Sequence, residues 1–190
     1  RRRTRTTGSA VSSAELNTLE LVDLTVAVDD GPVLVSSVSL EVSPGSVLGI
    51  VGESGCGKTL TALSAMGLLP IGLSVVSGSI LWNGRDLAAL SEPELLAVRG
   101  REIGFVGQEP MRALDPMFTI EYQLVGAVRR LQGISRSEAK AAARVLLEQV
   151  GIVDAPRVLS SYPHQISGGM AQRVAIALAL SGKPKLLIAD

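Results

Sequence analysis

The chain has 190 residues, 46% of them hydrophobic and 19% charged, which is enough apolar content for one large core or two small ones and excludes an intrinsically disordered chain. Its 18 basic residues balance 18 acidic ones, so no overall field argues for nucleic acid as a partner. The longest apolar runs are short, VAIALAL at 174–180 among them, and a bilayer-spanning helix needs about 18 such residues, so any membrane role is peripheral and a partner must supply the pore.

Residues 1–18 open with Arg1, Arg2, Arg3 and Arg5 and continue in Thr, Ser and Gly. With little to bury, they read as a solvated, flexible arm; no apolar segment follows the arginines as a targeting peptide would require. Leu19–Val28 and Val33–Val42 then predict two antiparallel strands about the turn cluster Asp29-Asp30-Gly31-Pro32. Val47–Val51 (VLGIV) is a continuous apolar run of the kind buried in a parallel sheet, and Thr59–Leu69 is apolar at helical spacing and stopped by Pro70.

Between that strand and that helix, Gly52–Thr59 reads GESGCGKT. The string has the phosphate-loop pattern: glycines let backbone N–H groups wrap phosphates, a lysine reaches the outer phosphates, and a hydroxyl holds Mg²⁺. Gly52, Glu53, Ser54, Gly55, Cys56, Gly57, Lys58 and Thr59 are therefore the candidate nucleotide-binding residues, with Thr59 a candidate metal ligand. The phosphates would meet a helix N-terminus, where partial positive charge and unpaired N–H donors favour an anion. Cys56 is the single cysteine and can form no internal disulfide, which fits a reducing compartment. Its position at a helix start leaves two readings, a small loop residue and a reactive thiol.

Ser77–Leu87 predicts a hairpin about Asn83-Gly84, with Trp82 a half-buried strand residue rather than a base-stacking platform. Ser91 and Glu94 have capping-box spacing for a short helix ending near Gly100, and the strand Ile103–Val106 follows and delivers Gln108. Two helices, Ile120–Gln132 and Arg136–Val150, are each closed by glycine, the second opened by a Ser135/Glu138 capping box. This block, 109–165, interrupts an α/β core and reads as a helical subdomain, following an antiparallel β and phosphate-loop part at 19–108. Residues 166–190 supply a helix over Gly168–Leu180 with Ser167 at its N-cap and a buried strand, Lys185–Ala189, ending on Asp190.

Three further groups carry chemistry. An aspartate at the carboxyl end of an apolar strand, beside a phosphate loop, places Asp190 on Mg²⁺ across from Thr59, although an acid at a strand end is by itself a common turn former. Gln108, just past a strand, could reach both the metal and an attacking water. Ser167-Gly168-Gly169 at a helix start forms a second anion cradle; a cap accounts for Ser167, but two glycines cost helix stability unless something must approach closely.

Together, GIVGESGCGKT, GQEPMRALDPMFTI, YPHQISGGMAQRVAIALAL and KPKLLIAD resemble the nucleotide-binding subunits of ABC transporters, over nearly all of 19–190. In detail they look like the peptide/nickel importer branch, the dipeptide and oligopeptide permease ATPases. The resemblance implies an α/β P-loop NTPase core of the ABC type, with an antiparallel β subdomain, an inserted helical subdomain and the C-terminal part of the core missing. It implies ATP and Mg²⁺ as cofactors and Lys58, Gln108 and Asp190 as catalytic residues, with Gln108 and Asp190 joining Thr59 at the metal. A second ATPase subunit, identical or homologous, would pair head to tail so that Ser167–Gly169 meets the γ-phosphate bound at the other subunit's loop. Transmembrane permease subunits and, indirectly, a solute-binding protein complete the expected partners, at the cytoplasmic face of a membrane. Nucleic acid is not among them.

Two departures from that family qualify the expectation. The family's general base is a glutamate just after the aspartate that is Asp190 here, and its switch histidine lies further on. The 190-residue chain contains neither, His164 lying ahead of SGGM instead, and is expected to bind MgATP without hydrolysing it efficiently. The family also offers an aromatic ring to adenine near the first strand, where LTVAVDDG around Ala27 has none; one lost stacking contact is worth about 0.5–1.5 kcal/mol. A non-catalytic, regulatory nucleotide-binding module is the alternative reading.

Overall fold

The structure, a computed structural model, describes residues 18–190. The arm expected at the N-terminus lies outside them except for Thr18, whose N–H donates to Asn83 Oδ1 at 2.9 Å. β1 (Leu19–Val28) and β2 (Val33–Val42) form the expected antiparallel pair, and β1 also pairs with β3 (Leu73–Trp82). β3 turns through Asn83 (φ 53) and Gly84 (φ 76), the two left-handed residues of a primed turn, into the short β4 (Arg85–Asp86). The sheet order is β2-β1-β3-β4.

Strict alternation along β1 would follow Leu19 and Leu21 inward with Asp23. Instead the ladder is irregular at this point, Asp23 takes φ 49, and Leu24 and Val26 become the fully buried residues. One extra residue changes the parity of the strand and keeps the carboxylate in water.

The second sheet is a parallel pair, β5 (Ile103–Val106) with β6 (Leu186–Ala189), in register from Ile103 opposite Leu186 to Val106 opposite Ala189. The strand expected over Val47–Val51 is not formed. Val47 and Val51 are 99% and 93% exposed, and Val47, Leu48 and Ile50 line a cleft of about 630 Å³ across from β6. A strand is held by its ladder, and no described strand lies alongside this run, so its composition alone does not make it one. The following helix, α1 (Lys58–Ala65), also stops short of the expected Leu69, because Gly67 turns left-handed at φ 59.

α2 (Glu92–Val98) carries the predicted Ser91/Glu94 box. α3 (Ile120–Gln132), α4 (Arg136–Gln149) and α6 (Gly168–Leu180) lie within a residue of expectation, while α5 (Ala155–Ser160) was not anticipated. It is a short helix, but Asp154 caps it by accepting from Arg157 N and Pro156 sits in its first turn, a start signal the sequence does contain.

The core is in two clusters. In one, Ile120, Leu124 and Val128 of α3 meet Ala139, Ala143 and Leu147 of α4 and Ala171, Val174 and Ala177 of α6, each on one helical face. In the other, β1 and β3 pack Leu24, Val26, Ile80 and Trp82 against Ala65 and Met66 at the end of α1 and Ile103 of β5. α6 bridges them, resting on β5 at Gly104, where a Cβ would stand 2.6 Å from Ala179 O.

Candidate nucleotide site

Lys58 is the first residue of α1, and its ammonium lies inside the preceding loop. Nζ donates to Gly52 O at 2.9 Å and Glu53 O at 2.7 Å and approaches Cys56 Sγ at 3.6 Å. The loop is thus wound around a cation. Gly55 and Gly57 hold φ 82 and 96, which turns the backbone sharply at the helix start, and Gly52–Cys56 are exposed.

Thr119, Ser135 and Ser167 each accept a backbone N–H at the starts of α3, α4 and α6. α1 differs: Gly57 has no side chain to cap with, and no acidic residue lies in the first turn. Its N-terminal N–H groups are left for an external acceptor, with Lys58 adding a full positive charge to the helix's partial one. The geometry suits a polyanion.

Thr59 supplies the second feature. Its Oγ1 donates to Asp190 Oδ1 at 3.1 Å, across 131 residues of sequence. Asp190 reaches this place because β6 runs parallel to β5, and its own N–H donates to Val106 O at 2.9 Å. β5 then leads, two residues past Val106, to the exposed Gln108, whose side chain makes no hydrogen bond among the described residues. A hydroxyl and a carboxylate in contact, with a free amide at the end of the adjacent strand, are hard oxygen donors of the kind Mg²⁺ takes when phosphates and water complete its shell. The residues present fit that ion.

Ser167, Gly168 and Gly169 open α6 on the outer surface. Ser167 Oγ accepts from Met170 N at 3.3 Å, and a Cβ on either glycine would meet nothing within 4 Å. Nothing in the fold requires glycine there. No hydrogen bond joins these residues to the loop around Lys58 among the described residues, and α6 packs mainly into the helical cluster. Trp82, expected half-buried, is 1% exposed and gives its indole N–H to Glu102 Oε2 at 2.6 Å, so it stacks on no base. Ala27 is buried as well and offers no ring.

Sequence reasoning passed over Arg99. Its guanidinium donates to Met66 O and Gly67 O at the far end of α1. The available signal was an arginine shortly before the Gln108 strand, but its partners lie more than thirty residues earlier in the chain.

Comparison with known proteins places this geometry in a family. Residues 35–190 match the family described as ABC transporter. The chain is 46% identical over 183 residues to the peptidoglycan transport ATP-binding protein YejF of Agrobacterium fabrum, covering 93% of this chain and 34% of that one. It is 44% identical over 156 residues to the dipeptide transport ATP-binding protein DppD of Escherichia coli, covering 82% of this chain and 48% of the relative. The chain therefore spans half or less of the length of these curated relatives. Among solved structures, the dimeric ATP-binding cassette MJ0796 bound to ADP and Pi superposes with a TM-score of 0.77 at 26% identity, over 90% of this chain and 73% of that one. The uncapped phosphate loop, the contact between Thr59 and Asp190, and these matches agree: the chain belongs to the ABC transporter family, as an ATP-binding cassette similar to those of the peptide importers.

Proposed function

We propose that this chain is the MgATP-binding portion of an ATPase subunit that powers uptake of peptides or a related small solute. The observation that carries the reading is the Thr59–Asp190 contact at the mouth of the loop holding Lys58, which joins two motifs 131 residues apart at one point. Lys58 and the first-turn N–H groups of α1 bind and orient the phosphates. Thr59, Asp190 and Gln108 would hold Mg²⁺, and Gln108 would also orient the attacking water. When bound there, Mg²⁺ would supply positive charge that offsets the charge of the phosphates.

Ser167, Gly168 and Gly169 serve a second ATP-binding subunit, contacting the nucleotide at that subunit's loop; their outward position and unneeded glycines support this role. In the wider protein, residues 19–108 form the β and phosphate-loop part, 109–165 the helical part that meets permease subunits, and 166–190 the helix and strand that link them. The complex works at the cytoplasmic face of a membrane. Among the described residues no helix is long and apolar enough to cross it.

The test is MgATP binding and turnover by the 190-residue chain beside a version extended past Asp190. The chain binds MgATP and turns over little, the extended version does both, and Lys58→Ala abolishes binding in each. Asp190→Asn keeps metal-free ATP binding and loses about tenfold or more of the Mg²⁺-dependent gain. Binding without turnover in the extended version would transfer the assignment to a non-catalytic nucleotide-binding module, and no binding at all would remove the reading.

A further inference from the structure

Away from the loop, a second contact set fixes where α1 ends. The helix has no basic residue in its last turn, and the two carbonyls just past its end are met from outside. Arg99 Nε donates to Met66 O at 2.7 Å and Nη2 to Gly67 O at 2.7 Å, while Nη1 pairs with Glu92 Oε1 at 2.5 Å. The Arg99 side chain is 15% exposed against 63% for Glu92, so the guanidinium is seated in the protein and its partner holds it from the rim. A Cβ on Gly67 would stand 3.1 Å from Nη2, so the bare backbone leaves the guanidinium its place.

Arg99 directly follows α2 and is separated from β5 only by Gly100–Glu102, and β5 ends just before Gln108. The guanidinium therefore ties the far end of the phosphate-loop helix to the root of the strand that carries Gln108. α1 has eight residues, a rod of about 12 Å. Its packing through Ala65 and Met66 is apolar and non-directional, which sets depth more than orientation. A planar fork on two successive carbonyls sets orientation.

We infer that Arg99 is a positioning residue for the metal side of the site: its fork holds α1, and with it Thr59, in register with Gln108 and Asp190. The inference rests on the MgATP reading given above. It separates from a charge effect, because lysine at this position keeps a cation near the negative end of the helix but cannot present the fork.

The experiment compares the parent chain with Arg99→Lys, Arg99→Gln, Glu92→Gln and Lys58→Ala. ATP affinity is measured by calorimetry with Mg²⁺ and with chelator, and the thermal midpoint is followed by Trp82, the single tryptophan. Both Arg99 variants lose about tenfold of the Mg²⁺-dependent gain in affinity while metal-free ATP affinity stays at the parental value. Glu92→Gln, which keeps the fork but not its anchor, moves the gain in the same direction by less. A parental gain in Arg99→Lys would reduce the residue to a helix-end charge and overturn the inference. So would equal loss with and without Mg²⁺ accompanied by a fallen midpoint, which marks a structural role. If Arg99→Gln does not fold, Arg99→Lys and Glu92→Gln decide, and an unchanged gain in both overturns it. A parent that binds no better than Lys58→Ala removes the nucleotide reading itself, whereas parental binding with an unaffected Arg99 series removes only the inference.

Discussion

The ammonium of Lys58 already makes hydrogen bonds, to carbonyls of its own loop, and under the proposed function a phosphate must compete for them. Binding at this residue is an exchange of partners, so affinity depends on the loop's freedom to release the lysine as well as on charge. Such an exchange occurs in water, on exposed backbone, where the cost is small. Elsewhere single residues act through packing. Leu124 is fully buried between helices, so Leu124→Ala is expected to lower unfolding free energy by about 2–5 kcal/mol, read from urea titration. MgATP affinity should be much less affected than stability, because the site is built on the other cluster.

Among the longer helices, α1 is the one whose start carries no side-chain cap, and that exception is where the proposed anion site lies. Local rules and function part company there, as expected where an orphan donor is reserved for a ligand. The capped helices obey the rules and add a pH dependence. Glu138 accepts from the Ser135 hydroxyl and from its backbone N–H, and these bonds hold its carboxyl below the usual glutamate value; Glu94 is lowered in the same way by Ser91. A carboxylate whose folded pKa is depressed contributes its full stability above the unfolded value, about 4.3, and loses it as pH falls through the lower folded value. The gap in thermal midpoint between the parent and Glu138→Gln, followed by circular dichroism, should therefore be widest near neutral pH and close as pH drops below about 4. A gap that stays constant on acidification would mean that the box is not formed in solution.

At the scale of the whole molecule, α6 belongs to the helical cluster and only rests on β5 of the other at Gly104, and the candidate nucleotide site is built on that other cluster. Trp82 reports on that cluster, while far-ultraviolet dichroism is dominated by the helices of the other. A ligand stabilises only the unit whose folding creates its site, so MgATP at a hundredfold excess over Kd should raise the stability reported by Trp82 by about 2.7 kcal/mol. The dichroism transition should move less, and the two curves should separate. Coincident transitions that shift together would show one cooperative unit instead. The apolar cleft between Val47–Ile50 and β6 adds exposed hydrophobic surface to a chain with no net charge, a combination that favours association at neutral pH.

Much of this was legible in the amino-acid order because it is local. The turn at Asn83-Gly84 needs two left-handed residues, the Ser135/Glu138 box needs a three-residue spacing, and the phosphate loop needs glycines beside a lysine; each is satisfied within a few residues. The resemblance to ATP-binding cassettes came from such strings, and the family comparison agrees with it. Other features depend on partners distant in sequence. Whether Val47–Val51 becomes a strand depends on a neighbouring ladder, so its apolar composition was not sufficient. α1 ends at Ala65, ahead of Pro70, and Arg99 from a distant segment takes the two carbonyls just past that end, while β1 changes parity at Asp23 to suit strands on both sides. The contact of Thr59 with Asp190 exists because two parallel strands end level with a helix start, an arrangement that chain folding decides and no local pattern can.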